Sequence, residues 1–403
     1  MSISIDVLPT DNSSVHDDLW HVVTSTNSSA VDFKYVFDFF VGGRQLIRAK
    51  IYPNPSNGTG YFNASNIISN EMKFDWFTPD GEVFMKELND SGEIYLNYNV
   101  RIGEDVSGIT SLNLASGTVK VANCIPNLFS RRVYPTSAFL DNSIKRFYTN
   151  RDKLNLKSNY VEDLYIGACV QSSEYLYLNQ YQNNGTLISS NPITIPTTTT
   201  TNILQMNISP TAFTDFGLSL SANCVYYEIQ MSNNIQALDK VRVYLDCNPK
   251  YEVINLHFLN AYGLFDTARF ECVSKLTMDV QRKSFEQPDY RFGNIVTFYN
   301  ELTTPSDITN RQYHESKVNY GSQYDWTYKL TMNFPNDTDY IWLSELLMSP
   351  QVWAEIVIDA DEKEYYPVSI KATNYEYSKH INNRLVAFEV QIDMNQKRNG
   401  FRR

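Results

Sequence analysis

Two long alternating runs organise the C-terminal third of the chain. Trp326, Tyr328, Leu330, Met332 and Phe334 alternate with Thr327, Lys329, Thr331 and Asn333. Val386, Phe388, Val390, Ile392 and Met394 alternate with Ala387, Glu389, Gln391 and Asp393. Successive side chains of an extended chain point to opposite faces, so each run lays one apolar row on a core and one polar row toward water. That pattern predicts antiparallel sheet. Between the runs, "NDTDYIWLSELLMSP" has helical spacing. Leu343, Leu346 and Leu347, flanked by Trp342, form its apolar stripe, while Ile341, Ser344 and Glu345 face away. Asn336, Asp337 or Thr338 is placed to cap this helix, and Pro350 to close it. Asp337 and Asp339 complement its dipole. The expected C-terminal core is Trp326, Trp342, Leu346, Leu347, Trp353 and Phe388.

Strand-period segments continue through the rest of the chain. Phe33, Tyr35, Phe37 and Phe39 share one face of "FKYVFDFFV", and Gly42-Gly43 then leads into "RQLIRAKIY". Two such runs around Gly-Gly predict a tight hairpin, because both glycines can take positive φ. "YPNPSNGTG" (52–60) is a loop that its prolines and glycines keep out of a ladder. "FNASNIISNEM" predicts one short helix with Asn63 as N-cap. Met72, Phe74 and Trp76 then resume alternation. Residues 110–150 are mixed, and "IPNLFSRRVYPTSAF" is too irregular to assign. "VEDLYIGACV", "SEYLYLNQY", a turn at Asn183-Asn184-Gly185, "TLISSNPITI", "NCVYYEIQM" and "KVRVYLD" fit a small sandwich of immunoglobulin or fibronectin type. Thr197 to Thr201 reads as an extended connection or an edge strand. "YEVINLHFLN" and "AYGLFDTARFECV" predict a hairpin about Tyr262-Gly263 that buries Phe265 and Phe270. The expected architecture is mostly β: antiparallel sandwiches over 1–146, 147–250 and 251–403, the last with one helix near 338–349.

Composition agrees with strands. Tyr (28) and Phe (22) abound, and charged residues are only 20% of 403. A net charge of −11 argues against a nucleic-acid wrapper. The one basic run, Lys397, Arg398, Arg402 and Arg403, reads as a solvated tail, with docking onto an acidic neighbour as the alternative. Cys124, Cys169, Cys224, Cys247 and Cys272 are odd in number and form no CxxC, so neither a disulfide framework nor a zinc site is expected. Reduced thiols fit assembly in a cytosol. "MSISIDVLPTDNSSVHDDLW" lacks the basic and apolar regions of a signal peptide, and no apolar run is long enough to span a membrane. The Asn-x-Ser/Thr sequons at Asn57, Asn63, Asn89, Asn184, Asn207 and Asn336 reflect abundant Asn, Ser and Thr.

Signatures of catalysis are missing: there is no P-loop, GxGxxG, GxSxG or HExxH. "HESKV" at 314–318 lacks the second histidine of a metalloprotease helix. His16, His21, His257, His314 and His380 never fall at metal-ligand spacing, and His257 reads as a hydrogen-bonded strand residue. Asp359, Asp361, Glu362 and Glu364 crowd one turn, and a solvated hairpin tip accounts for them better than a calcium loop does. Tyrosines in "VYYEIQM", "EYLYLNQY" and "NYEYSKH" suit sugar stacking, but two-sided aromatic strands more often pack between sheets or against a subunit. No catalytic, cofactor-binding or metal-ligating residue is assigned, and no cofactor is implied.

Two stretches carry a resemblance. "FKYVFDFFVGGRQLIRAKIYPNPSNGTGYFNASNII", with "LHFLNAYGLFDTARF" and "YGSQYDWTYKL…YIWLSELLMSPQVW…YYPVSIKATNYEY", resembles a family of virion structural proteins of tailed phages, particularly those infecting Bacteroides- and Flavobacterium-like bacteria. The similarity spans roughly residues 30–75 and 250–395. It implies a tail or tail-associated subunit of a ring, hub or fibre-anchoring layer, assembled in the host cytoplasm. The implied partners are copies of itself and other virion proteins, with no active site; the net charge and the lack of long apolar runs argue against nucleic-acid binding and membrane insertion. The rival readings are a receptor- or host-glycan-binding tail protein and, least supported, a polysaccharide-degrading enzyme.

Overall fold

The computed structural model describes residues 3–10, 13–72, 85–87, 94–125, 147–151, 154–171, 174–195, 201–214, 217–233, 236–246, 248–286, 290–292, 308–310, 317–333, 339–359, 362–371, 387–394 and 398–402. It is mostly β, with several antiparallel sheets.

The first elements are β1 (Ile3–Val7), β2 (Ser13–Ser14), β3 (Trp20–Ser25), β4 (Lys34–Val41), β5 (Arg44–Ile51), β6 (Gly60–Asn63), α1 (Ser65–Ser69), β7 (Met85–Glu87), β8 (Tyr95–Val106), β9 (Ile109–Ala115) and β10 (Val119–Ala122). Strands β1-β3-β6 form one sheet and β2-β10-β8-β4-β5, with β9 on β8, form its partner. Phe33, Tyr35, Phe37 and Phe39 all enter the core between them, as the alternation requires. The hairpin turn has Gly42 at φ 55° and Gly43 at φ 82°, the conformation that its two glycines permit at no steric cost. Helix α1 begins one residue later than expected. Ala64 holds the N-cap position, but Asn63 Oδ1 still accepts the Ser65 N–H at 3.1 Å and also that of Leu19 at 3.0 Å.

Next come β11 (Asn155–Ser158), β12 (Tyr165–Gln171), β13 (Glu174–Tyr181), β14 (Leu187–Ile193), β15 (Thr201–Asn207), β16 (Tyr226–Asn233) and β17 (Ala237–Leu245). A five-stranded sheet, β11-β17-β16-β13-β14, faces a three-stranded one, β12-β15-β7, so strand β7 from the N-terminal region completes the second sandwich. Two pairings, β10 with β2 and β11 with β17, are parallel. Thr201 opens β15, and Thr197 to Thr200 lie outside the described residues.

The last elements are β18 (Ile254–Leu259), β19 (Phe265–Phe270), β20 (Lys275–Glu286), β21 (Tyr290–Phe292), β22 (Ile308–Asn310), β23 (Lys317–Asn333), α2 (Asp339–Met348), β24 (Val352–Asp359), β25 (Glu362–Ile370), β26 (Ala387–Met394) and β27 (Arg398–Arg402). Strands β21 and β22 pair with each other, and the other strands build one large sheet in the order β19-β18-β24-β25-β26-β23-β20, with β27 on β23. Phe265 and Phe270 are buried, as expected. Gly263 turns this first hairpin at φ 74°, and a Cβ there would overlap the Asn123 carbonyl.

Helix α2 covers one face of this sheet, with Trp342, Leu343 and Leu346 buried and Leu347 partly so. Phe388 joins that core. Three expectations need correction. Glu345 does not face water: it is buried and accepts the Ala261 N–H at 3.0 Å and the Asn150 amide at 2.5 Å. Trp353 packs on the opposite face of the sheet, because position 353 alternates with the core residues Val352 and Ala354. Trp326 is on the expected face but beyond the reach of α2, and lines an open cleft. The cap candidates 336–338 lie outside the described residues. Among the described residues no helix is long and apolar enough to cross a membrane.

Candidate functional site

Two features of the large sheet stand out, one sealed and one open. The sealed one is a polar seam between its second face and the residues leading into β12. Glu355 on β24 sits at its centre. Its carboxylate accepts the Asp163 N–H at 2.9 and 3.1 Å, the Asn255 amide at 3.1 Å and His257 Nε2 at 3.1 Å. A carboxylate only accepts, so Nε2 carries the hydrogen. In the neutral ring Nδ1 then accepts from the Thr267 hydroxyl, 2.9 Å away. Thr267 Oγ1 also accepts the Tyr165 N–H at 2.8 Å. Asp163 holds Lys363 Nζ at 2.5 Å and Asn207 Nδ2 at 2.9 Å, and accepts from Tyr365. Burial first, and then the nearby carboxylates, push the Tyr165 and Tyr365 hydroxyls above the ordinary phenol range, so both remain donors.

The order Thr267, His257, Glu355 is that of an acid–base relay. Here, however, His257 and Glu355 have fully buried side chains and bond to protein partners. The chemistry the arrangement performs is attachment. Four of these contacts join the large sheet to the second sandwich, namely the Asp163 N–H to Glu355, the Tyr165 N–H to Thr267, and Lys363 and Tyr365 to Asp163; the others brace the large sheet or the second sandwich internally. Beside it, Arg269 clamps Glu162 at 2.8 Å and Glu271 at 2.7 Å. Further along, Asp266 accepts from Thr149 Oγ1 at 2.6 Å and from Trp342 Nε1 at 2.8 Å. Burial raises its carboxyl to about 6.

The open feature is the far end of the same sheet. Strands β20 and β23 form a long ribbon, and no residue of β20 is fully buried. Its register sorts the side chains into two rows. Leu276 faces Tyr328, Met278 faces Trp326 and Val280 faces Tyr324 on one side. On the other, Lys275 faces Lys329, Thr277 faces Thr327, Asp279 faces Asp325 and Gln281 faces Gln323. The apolar row runs into a cleft of about 260 Å³ lined by Leu276, Trp326, Tyr328, Ile356, Tyr366 and Met394, among others. Leu276 and Met278 are each 48% exposed, so among the described residues this face is an uncovered continuation of the one that α2 covers.

The sequence pattern puts Trp326 and Tyr328 on one strand face, but with Trp326 in the core and not in this cleft, and it missed β20. The signal was present: residues 275 to 281 read forward and 329 to 323 read backward give the same polar series, Lys, Thr, Asp, Gln. The basic run also changes character. Arg398 and Arg402 belong to β27, paired with Tyr324 and Gly321 of the ribbon, and not to a free tail. The acidic turn is a hairpin end, with Asp359 closing β24 and Glu362 opening β25. His16 bonds Asn123 at 3.1 Å, His21 is buried in the first core, and His314 and His380 lie outside the described residues. Among the described residues no three His, Cys, Asp or Glu side chains converge as a metal site. No protein-family model matches the chain, and no curated protein matches it.

Proposed function

We propose that the chain is a structural subunit of a tailed-phage virion, a tail or tail-associated component of a ring, hub or fibre-anchoring layer. It works through contacts with copies of itself and with other virion proteins, and no catalytic step is assigned to it. The observation that carries this reading is the β20–β23 ribbon: a long sheet end with an apolar row left open to water. Exposed contiguous apolar surface of this kind marks interaction sites, and the resemblance over residues 30–75 and 250–395 supplies the setting. Immunogold labelling of purified particles, with mass spectrometry of their proteins, tests it. Label on the tail is expected, and absence of the chain from the particles overturns it.

One observation favours a second reading, host-glycan binding. Tyr181 stacks on Tyr226 at 4.8 Å, Tyr244 follows at 5.4 Å, and Arg242 lies over Tyr226 and Tyr244 on the outer face of the five-stranded sheet. Rings and polar groups together suit sugar faces. Saturable binding of host surface polysaccharide that Tyr226→Ala removes would favour it, and no binding by the intact chain would dismiss it.

A further inference from the structure

Among the described residues β20 pairs with β23 alone, so its outer edge presents unused backbone donors and acceptors. Proteins ordinarily blunt such edges with charged side chains, proline, bulges or short length, and β20 carries Lys275 and Asp279, of opposite sign, on one face. Residues 274–280 contain no proline, and the β20 bulge comes later, between Lys283 and Ser284. The ribbon also opposes like with like: Lys275 beside Lys329 and Asp279 beside Asp325. Directly opposed like charges destabilise a ladder. Lys329 gains a counter-ion in Glu389, 2.5 Å away on β26. On the outer strand, Lys275 and Asp279 stand two rows apart on the same face, with Thr277 between them.

That spacing is self-complementary. We propose that β20 pairs edge to edge and antiparallel with β20 of a second copy of this chain, about a two-fold axis at Thr277. The pairing rests on the subunit-contact reading above and names its partner. In this register Lys275 of each copy lies opposite Asp279 of the other, and Leu276 of each lies opposite Met278 of the other. Across the two copies one row becomes Lys329, Lys275, Asp279, Asp325, two cations followed by two carboxylates. The other face becomes Tyr328, Leu276, Met278, Trp326, a continuous apolar row. Other registers lose this match. An axis at Met278 sets Lys275 against Gln281 and Thr277 against Asp279, and an axis at Asp279 sets the two Asp279 side chains together. Isologous contact through one self-complementary patch is the commonest way a chain pairs with its copy, and added strands are a known recognition mode.

The test is a charge swap on the full-length chain, read by sedimentation or light scattering across a concentration range. The wild-type chain is expected to form a concentration-dependent dimer. Lys275→Glu and Asp279→Lys each put like charges together twice per dimer, and each is expected to weaken self-association by roughly tenfold or more. Both variants relieve a like-charge pair within their own ribbon, so both should fold; circular dichroism checks this. An equimolar mixture of the two variants is expected to dimerise again, because each copy then meets its opposite at both contacts. A wild-type oligomer that ignores both substitutions overturns this pairing and leaves the subunit-contact reading standing. A wild-type chain that is monomeric at every concentration also overturns the pairing, while particle labelling judges the wider reading separately.

Discussion

Strands β18 and β20 belong to one sheet and have opposite surroundings. All six residues of β18 are buried, whereas none of the twelve of β20 is. Their sequences suggest the reverse of a simple rule. "KLTMDVQRKSFE" alternates cleanly from Lys275 to Gln281, the mark of a strand with one covered face, yet among the described residues nothing covers either face. "INLHFL" places Asn255 and His257 among apolar residues, and both are sealed. Alternation therefore states which side chains share a face. Coverage depends on what the rest of the chain brings to that face: α2 on one side of β18, and the residues leading into β12 on the other.

The largest expected effects lie where that coverage is complete. Trp342→Ala should cost about 3–5 kcal/mol, the usual loss for truncating a large buried aromatic, because its ring packs on Phe258 and its Nε1 bonds Asp266. Glu355→Ala should cost about as much, since the Asp163 N–H, the Asn255 amide and His257 would all lose their acceptor. Denaturant melts measure both. A loss under about 1 kcal/mol for Trp342→Ala would break the contrast, because it would mean that α2 does not seal this face.

A smaller effect should appear as a pH dependence with opposite signs in two regions. Asp266 titrates at about 6 in the folded chain, against 3.8 for an ordinary carboxyl, because burial disfavours the ionised form. The folded state then holds more protons between those values, and stability falls as pH rises from about 4 to about 6, by roughly 2–3 kcal/mol. His21, buried in the first core against Phe39 and Tyr98, is lowered by burial from 6.5 to about 4. There the unfolded state holds more protons, so stability present above 6.5 is lost as pH falls toward 4. Asp266→Asn should remove only the first trend. A variant whose melt-versus-pH curve runs parallel to that of the wild type would show that Asp266 stays ionised across the range.

What could be read in advance follows the same division. The Gly42-Gly43 hairpin, the Phe33 to Phe39 row, the hairpin around Gly263 and the α2 stripe are local patterns, and each is found where the spacing put it. The seam was not legible, because Asp163, His257, Thr267 and Glu355 are separated by up to 192 positions and meet only through strand pairing. Trp353 was assigned to the wrong core for a related reason: its face follows from register with β18, where it stands opposite His257. The ribbon was half legible. Its repeated Lys, Thr, Asp, Gln series lies in the sequence, but it means something only once the two segments are known to pair.

The smallest expected effect is the sharpest test of the comparison. Leu256 on β18 and Leu276 on β20 are the same side chain in strands of the same sheet, one fully buried and one 48% exposed. Leu256→Ala should cost about 2–5 kcal/mol, through lost transfer energy and a residual cavity. Leu276→Ala, measured in dilute solution, should cost less than about 1 kcal/mol, because half of that surface is in water before the mutation. If the two losses prove equal, the β20 face is covered in the isolated chain and cannot serve as an interface. If Leu276→Ala is nearly neutral in dilute solution but destabilises the concentrated chain, the cost belongs to an assembled state: binding that exists only in the folded oligomer adds to apparent stability by mass action. Since the folded monomer is the same in both samples, such a concentration dependence would trace the loss to a contact that Leu276 makes with another molecule.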